Sequence, residues 1–332
     1  MKIRAIVALA VLLACMSARA DNIYVESRGG ANLFVVNSDT GDKTSIGSYG
    51  PNGTGLGVLA QAFSPNGTLY AVLRGGSASL CQLVTVDLSS GGAGNTLTTT
   101  SIGFTGVPVE AMAFTPDGTL YAANFNTNNL YTLNLKTGAA TLIGNLGFDG
   151  IMDMAWDPFN FTMYAVASLC DGSAVYSIDL ISGAGTKITD VQNPCLMTLA
   201  IDSSNRFLST DFSNPNSPLY KIDLEQGTLD VLGGTGLGNT MGATSQPEAG
   251  AEIQVLEAAL SKLNLDFGIT NSLNKKLTAA LGAFQAGDTA SACVALQDFL
   301  NEVNAQSGKK ISIRNASNLL DAAAAIRTLL GC

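Results

Sequence analysis

Five copies of one short pattern, an alternating strand that ends in a turn, recur at nearly constant spacing. They limit what this chain can fold into more than any other feature. They are Leu33 to Gly41 (LFVVNSDTG), Leu83 to Gly91 (LVTVDLSSG), Leu130 to Gly138 (LYTLNLKTG), Val175 to Gly183 (VYSIDLISG) and Leu219 to Gly227 (LYKIDLEQG), spaced 50, 47, 45 and 44 residues apart. A second landmark falls between them. AFSPNGTLYA at Ala62 to Ala71 and AFTPDGTLYA at Ala113 to Ala122 are nearly the same ten residues, with looser copies from Ala155 (AWDPFNFTMYA) and Ala200 (AIDSSNRFLST). A period of this length marks a repeat architecture.

Each unit reads as four strands, a to d. Strand a is apolar on both faces, as in Val109 to Phe114 and Ile151 to Trp156, which suits an innermost strand packed between layers. A Pro-Asp-Gly or Pro-Asn-Gly turn leads to strand b, with Pro presetting φ and Gly taking the left-handed conformation. Strand b carries Tyr24, Tyr70, Tyr121, Tyr164 or Leu208; the fivefold pattern is strand c, and a short strand such as Thr141 to Gly144 is d. Four-stranded units at this period are the blades of an all-β propeller, each burying its neighbour's face. After residue 20 the chain starts directly in a b strand near Ile23, whereas residues 239–244 echo a strand a. The two ends of the chain are therefore expected to close the ring together, leaving no open edge. The expectation is five blades over residues 21–247. The alternative is a sixth, diverged blade within Leu73 to Gly103, where the chain has spare length.

Beyond a linker at 248–251 the periodicity becomes helical. Helices are expected from Glu252 to Leu265, from caps at Thr270–Ser272 through Phe284, from Thr289 to Gln306 behind an Asp288 cap, and from about Asn315 to Leu330. This gives a small all-α, four-helix domain over residues 252–332.

The repeat resembles exported bacterial propellers of the NHL, quinoprotein-like and YVTN kinds over most of residues 21–247. That pattern is structural and serves many functions. The C-terminal segment resembles the FIMAH-type helical module of secreted bacterial proteins, through Asn271-Ser272-Leu273, Lys276-Leu277, Phe284-Gln285-Ala286-Gly287-Asp288-Thr289, Ala292-Cys293, Phe299-Leu300, Val303 to Lys310 and Ala325-Ile326-Arg327. That resemblance implies an accessory module without catalytic residues.

The first twenty residues have a positive start (Lys2, Arg4), a short apolar run and a small-x-small site at Ala18-Arg19-Ala20, the layout of a signal peptide. Leu12 to Cys15 also resembles a lipobox, which makes lipidation of Cys15 the alternative to secretion. Export permits disulfides. Cys170 and Cys195 fall in adjacent loops on one propeller face. Cys293 and Cys332 fall at ends that meet in an antiparallel helix pair. Both pairs are expected to bridge, leaving Cys81 odd. Residues 21–250 hold 19 acidic and 7 basic side chains, a net of −12, and residues 251–332 hold 7 of each. An acidic propeller without a basic stripe argues against nucleic acid, and no stretch after the leader is long and apolar enough for a transmembrane helix.

The chain has no histidine, which excludes Ser-His-Asp and Cys-His catalysis as usually built, and histidine-ligated zinc. Propeller enzymes of the streptogramin-lyase type, with a catalytic histidine, are excluded too. Of the remaining groups, Glu110 and Asp153 lie on consecutive a strands among apolar neighbours, where a carboxylate needs a partner. Asn124 and Asp211 end equivalent b strands, and Arg28 and Arg74 follow one residue further along. Oxygens of this kind at a channel mouth would suit Ca²⁺ and superficially resemble the metal site of gluconolactonase-type propellers, which are six-bladed. The same residues also fit a hydrated channel laced with salt bridges. Asp149, Asp171, Asp190 and Asp117 read as turn residues, and Trp156 as core. The reading is thus a non-catalytic, exported binding or scaffold protein with a protein or glycan ligand on the propeller face. The alternative is a calcium-dependent hydrolase or lactonase.

Overall fold

The computed structural model describes residues 21–27, 31–50, 57–75, 81–192, 195–212 and 214–332. Arg28 and the leader, including Cys15, lie outside the described residues. Five four-stranded antiparallel sheets form a ring. The first blade contains β1 (Asn22–Ser27), β2 (Asn32–Asn37) and β3 (Lys43–Ser48). The second is β4 (Val58–Phe63), β5 (Leu69–Leu73), β6 (Gln82–Asp87) and β7 (Thr98–Phe104). The third is β8 (Ala111–Phe114), β9 (Leu120–Asn124), β10 (Asn129–Leu133) and β11 (Ala140–Asn145). The fourth is β12 (Ile151–Asp157), β13 (Thr162–Ser168), β14 (Ser173–Ile178) and β15 (Gly185–Val191). The fifth is β16 (Ala200–Ile201), β17 (Phe207–Thr210), β18 (Pro218–Ile222) and β19 (Leu229–Gly234). The last strand, β20 (Thr240–Ser245), pairs antiparallel with β1 as the inner strand of the first blade. Both chain ends thus close the ring, and its edges disappear into paired strands.

The spare length between Leu73 and Gly103 builds no sixth sheet among the described residues. Part of it forms a 3-10 turn at Leu88–Ser90, followed by a segment that reaches back to the first blade. There Ser48 N donates to Asn95 O at 2.8 Å and Leu97 N to Ser48 O at 2.7 Å.

The repeated residues are repeated because the contacts between blades are. Tyr24 packs on Phe63, Tyr70 on Phe114 and Tyr164 on Phe207, with ring centroids 4.8, 5.2 and 4.9 Å apart. Each pair joins one blade's b strand to the next blade, in edge or tilted geometries that aromatic rings favour. The glycine ending each c–d turn lies against a neighbouring d strand. Gly183, at φ +82°, meets Gly144, where an added Cβ would collide with the Ser182 carbonyl oxygen. The acid or amide that opens the turn caps it: Asp179 accepts from Ile181 N and Ser182 N, both at 2.8 Å, and Asp223 from Glu225 N and Gln226 N.

Four helices follow: α1 (Ala249–Lys262), α2 (Phe267–Gln285), α3 (Thr289–Gln306) and α4 (Ile313–Leu330). The first begins at Ala249, so most of the stretch read as linker is helix. The second begins earlier than Thr270, because Asp266 caps it by accepting from Gly268 N at 3.0 Å. Asp288 caps α3 as expected, and Ser312 caps α4. Leu273, Leu277, Leu296, Phe299, Leu319 and Ile326 form the bundle core, and Phe161 of the fourth blade joins it, with Trp156 packed alongside. The bundle therefore sits on the propeller floor, the face of the a–b turns. Lys262 of α1 lies over the Phe159 ring, 5.4 Å from its centroid.

Cys170–Cys195 and Cys293–Cys332 are bridged, and Cys81 is free and buried. The second bridge ties the start of α3 to the residue after α4 and spans 39 residues. By loop-closure entropy Cys332→Ser should lower stability by about 2–4 kcal/mol. Calorimetry should place the loss in the helical transition and leave the propeller transition unmoved; an unchanged helical transition would show the bridge to be dispensable.

Candidate functional site

The b–c and d–a connections share the face opposite the bundle, and the inner strands carry polar side chains towards it. Asp153 sits in β12 and is fully buried. Its Oδ1 accepts from Met154 N at 2.9 Å; its Oδ2 accepts from Leu199 N and Ala243 N, each at 2.8 Å. The carboxylate thus joins the fourth blade to the fifth and, across the axis, to the closing strand β20. Burial pushes its pKa up to about 8, against the pull of those three N–H donors. Gln61 of β4 does the matching work. Its Nε2 donates to Tyr24 O at 3.0 Å and Gly242 O at 3.1 Å, and its Oε1 accepts from Tyr49 Oη at 2.5 Å.

Thioethers and rings gather towards this face. Met197 and Met241 pack with Cys195, and Met152 and Phe212 lie against them. Beside this cluster runs a buried hydroxyl chain, Thr198 Oγ1 to Thr210 Oγ1 at 2.9 Å, on to Thr240 Oγ1 at 2.6 Å and to Ser217 Oγ at 3.3 Å.

The residues singled out in the sequence separate into three places. Glu110 precedes β8 and accepts from Phe125 N at 3.0 Å; burial raises its pKa, while that N–H and the charge of Arg74 lower it. Cys81 is near both, its thiol pushed up chiefly by burial. Asn124 is committed to its own turn, accepting from Asn126 N and Thr127 N and donating to Pro108 O. Asp211 lies on the other side of the mouth, bridged to Leu196. Asp153 is deep in the ring, and Arg28 is outside the described residues. Among the described residues, Glu110, Arg74 and Asn124 share one region, apart from Asp153. Among the described residues, no three of His, Cys, Asp and Glu gather to hold a metal ion.

The structure does bring together residues that read as separate turns. Asp149, Asp171 and Asp190 line one cleft of about 580 Å³, with Ser168, Tyr176 and Lys187. Asn128 Nδ2 donates to Asp149, Lys187 Nζ pairs with Asp190 at 2.8 Å, and Tyr176 stacks on Phe148 at 3.8 Å. Asp171 has no hydrogen bond or ion pair among the described residues and is exposed. The Cys170–Cys195 bridge fixes the b–c loop beside it. Glu26, fully buried at the end of β1, was also passed over. Aligning the b strands on their Tyr residues puts it in the column of Val72, Ala123 and Val166, where a charge stands out.

No family model matches the chain, and no curated protein matches it. Solved structures of similar shape exist. One is a nidogen/laminin complex, at 11% identity over 68% of this chain and 98% of that chain, TM-score 0.47. Another is a protein of unknown function from Bacteroides caccae, at 13% identity over 69% of this chain and all of that chain, TM-score 0.45. A third is TolB from Acinetobacter baumannii, at 14% identity over 69% and 67%, TM-score 0.44. These likenesses reach no further than the fold.

Asp153→Ala would strand three buried N–H groups and should destabilise the propeller by at least about 3 kcal/mol, measured by denaturant unfolding. The pKa of Asp153 is higher in the folded state than in the unfolded chain, so its proton favours folding. That stability is full below about pH 4 and is lost as pH rises through about 8. The melting temperature of the native protein should fall between those limits, and Asp153→Asn should flatten the upper part of the fall. A flat native profile would refute this titration.

Proposed function

We propose that this chain is an exported binding protein whose ligand, a glycan or a polar protein loop, docks on the propeller face bearing the b–c and d–a loops. The helical domain is then an accessory module of the FIMAH kind, covering the opposite face. The observation that carries this reading is the cleft of Asp149, Asp171, Asp190, Tyr176 and Lys187. It is polar, open and supported by a disulfide at its rim. It offers an aromatic surface beside hydrogen-bonding groups, the combination by which pockets orient polar ligands. The two bridges and the lack, among the described residues, of a helix long and apolar enough to cross a membrane are compatible with export. Among the described residues Glu110 and Asp153 accept backbone N–H groups, which supports a structural role for them over calcium chemistry.

A glycan and peptide array probed with the mature protein should find ligands whose binding falls at least about tenfold in Asp171→Ala and Lys187→Glu. Both changes are on exposed side chains and should leave the melting temperature unaltered. Ligands whose binding ignores both substitutions would refute the assignment to this cleft. Calcium and a chelator should give the same melting temperature, since a bound ion would raise it by linkage; a calcium-dependent rise would revive the hydrolase reading.

A further inference from the structure

A second cavity, on the opposite side of the ring, belongs to none of this. It lies between the propeller floor and the helices, with a volume of about 150 Å³. All five inner strands contribute to its walls, and α1 and α4 roof it. The walls are kept small: Ala62, Ala113, Ala155 and Ala200 occupy equivalent positions in four blades, opposite Tyr70, Tyr121, Tyr164 and Leu208. Ala322 and Ala325 face them from α4. These small residues of α4 therefore do more than pack the bundle, whose core takes Leu319 and Ala323 from another side of the helix, while Ile326 borders both.

One charged side chain lines this space, Glu252 of α1. No hydrogen bond or ion pair reaches its carboxylate among the described residues, and no lysine or arginine lines the cavity. Burial and the neighbouring Asp21 charge push its pKa up to about 7. The cavity is open on one side, and its volume is about what a benzene ring fills. Glu252 is only partly buried, so its carboxylate stands at the rim of the cavity, with water on one side and the apolar wall on the other.

We infer that this cavity is a binding site for a small apolar monoamine, its hydrophobic body among the alanines, Met112, Met154 and Trp156 and its ammonium on Glu252. Aromatic walls at Phe63, Phe114 and Trp156 suit the same guest, since an ammonium is attracted to ring faces. The site is separate from the cleft on the other face, so either assignment can fail without the other.

The chain has a single tryptophan, and it lines the cavity. Titration of the mature protein with 2-phenylethylamine, followed by Trp156 emission, should give a saturable change with a Kd of about 0.1–1 mM. Ethylbenzene, of similar shape and uncharged, should bind at least about tenfold more weakly, and Glu252→Gln should weaken the amine by a similar factor. Ala325→Leu, which fills the space while keeping the helix, should abolish the change without lowering the melting temperature. The proposal is overturned if no saturable change occurs up to about 10 mM amine. Equal binding of ethylbenzene, or full-strength amine binding by Glu252→Gln or Ala325→Leu, also overturns it.

Discussion

The ring depends on how its last strand is held. Nothing covalent joins the end of a propeller to its beginning, and β20 has to arrive from the far end of the fifth blade and stay. Its ladder with β1 is interrupted by a bulge at Gly242, which takes φ +52°. The bulge turns two adjacent backbone groups away from the ladder, and the two buried side chains at the ring's centre receive them. Gln61 donates to the Gly242 carbonyl, and Asp153 accepts the Ala243 N–H. Removing either leaves a buried polar group of the closing strand unpaired, which is costly in an interior of low dielectric. Closure is thus fastened at the axis as well as along the edge.

This accounts for what a reading of residue types could and could not reach. The blades were legible because their contacts recur every unit: Tyr against Phe between blades, Gly against the neighbouring d strand, Asp or Asn capping a turn. Each leaves the same letter at the same spacing. Glu110 and Asp153 were legible as unusual, since acids are rare on strands buried from both sides. Their roles were not, because the acceptor function of Asp153 depends on strands 46 and 90 residues away. The cleft of Asp149, Asp171 and Asp190 was missed for the converse reason. Each of these acids is ordinary in its own turn, and only the packing of the fourth blade against the third sets them around one space. The start of α2 was misplaced because three cap-forming residues at Thr270–Ser272 outweighed a single Asp266 that does the capping.

The two faces of the ring have opposite characters. The upper face carries the cluster of Met152, Met197, Met241, Cys195 and Phe212, with the acidic cleft at its periphery. On that face, among the described residues, the loop pair joined by a disulfide is the pair beside the acidic cleft. The helices close the lower mouth from outside.

That closure is imperfect for a geometric reason. The propeller floor has approximate fivefold symmetry about its axis, whereas α4 is a straight rod lying across it. A rod can pack against the rims it crosses, as Leu329 does beside Gly67. It cannot enter the dip at the axis unless it carries a long side chain there. At that point α4 presents Ala322 and Ala325, and the blades answer with alanines of their own. Larger side chains at Ala322 or Ala325 would fill the gap, and Ile326 and Leu329, which border it from the same helix, show that α4 accommodates them. Small residues on both sides, together with a carboxylate left facing the space, describe a volume that the packing keeps open.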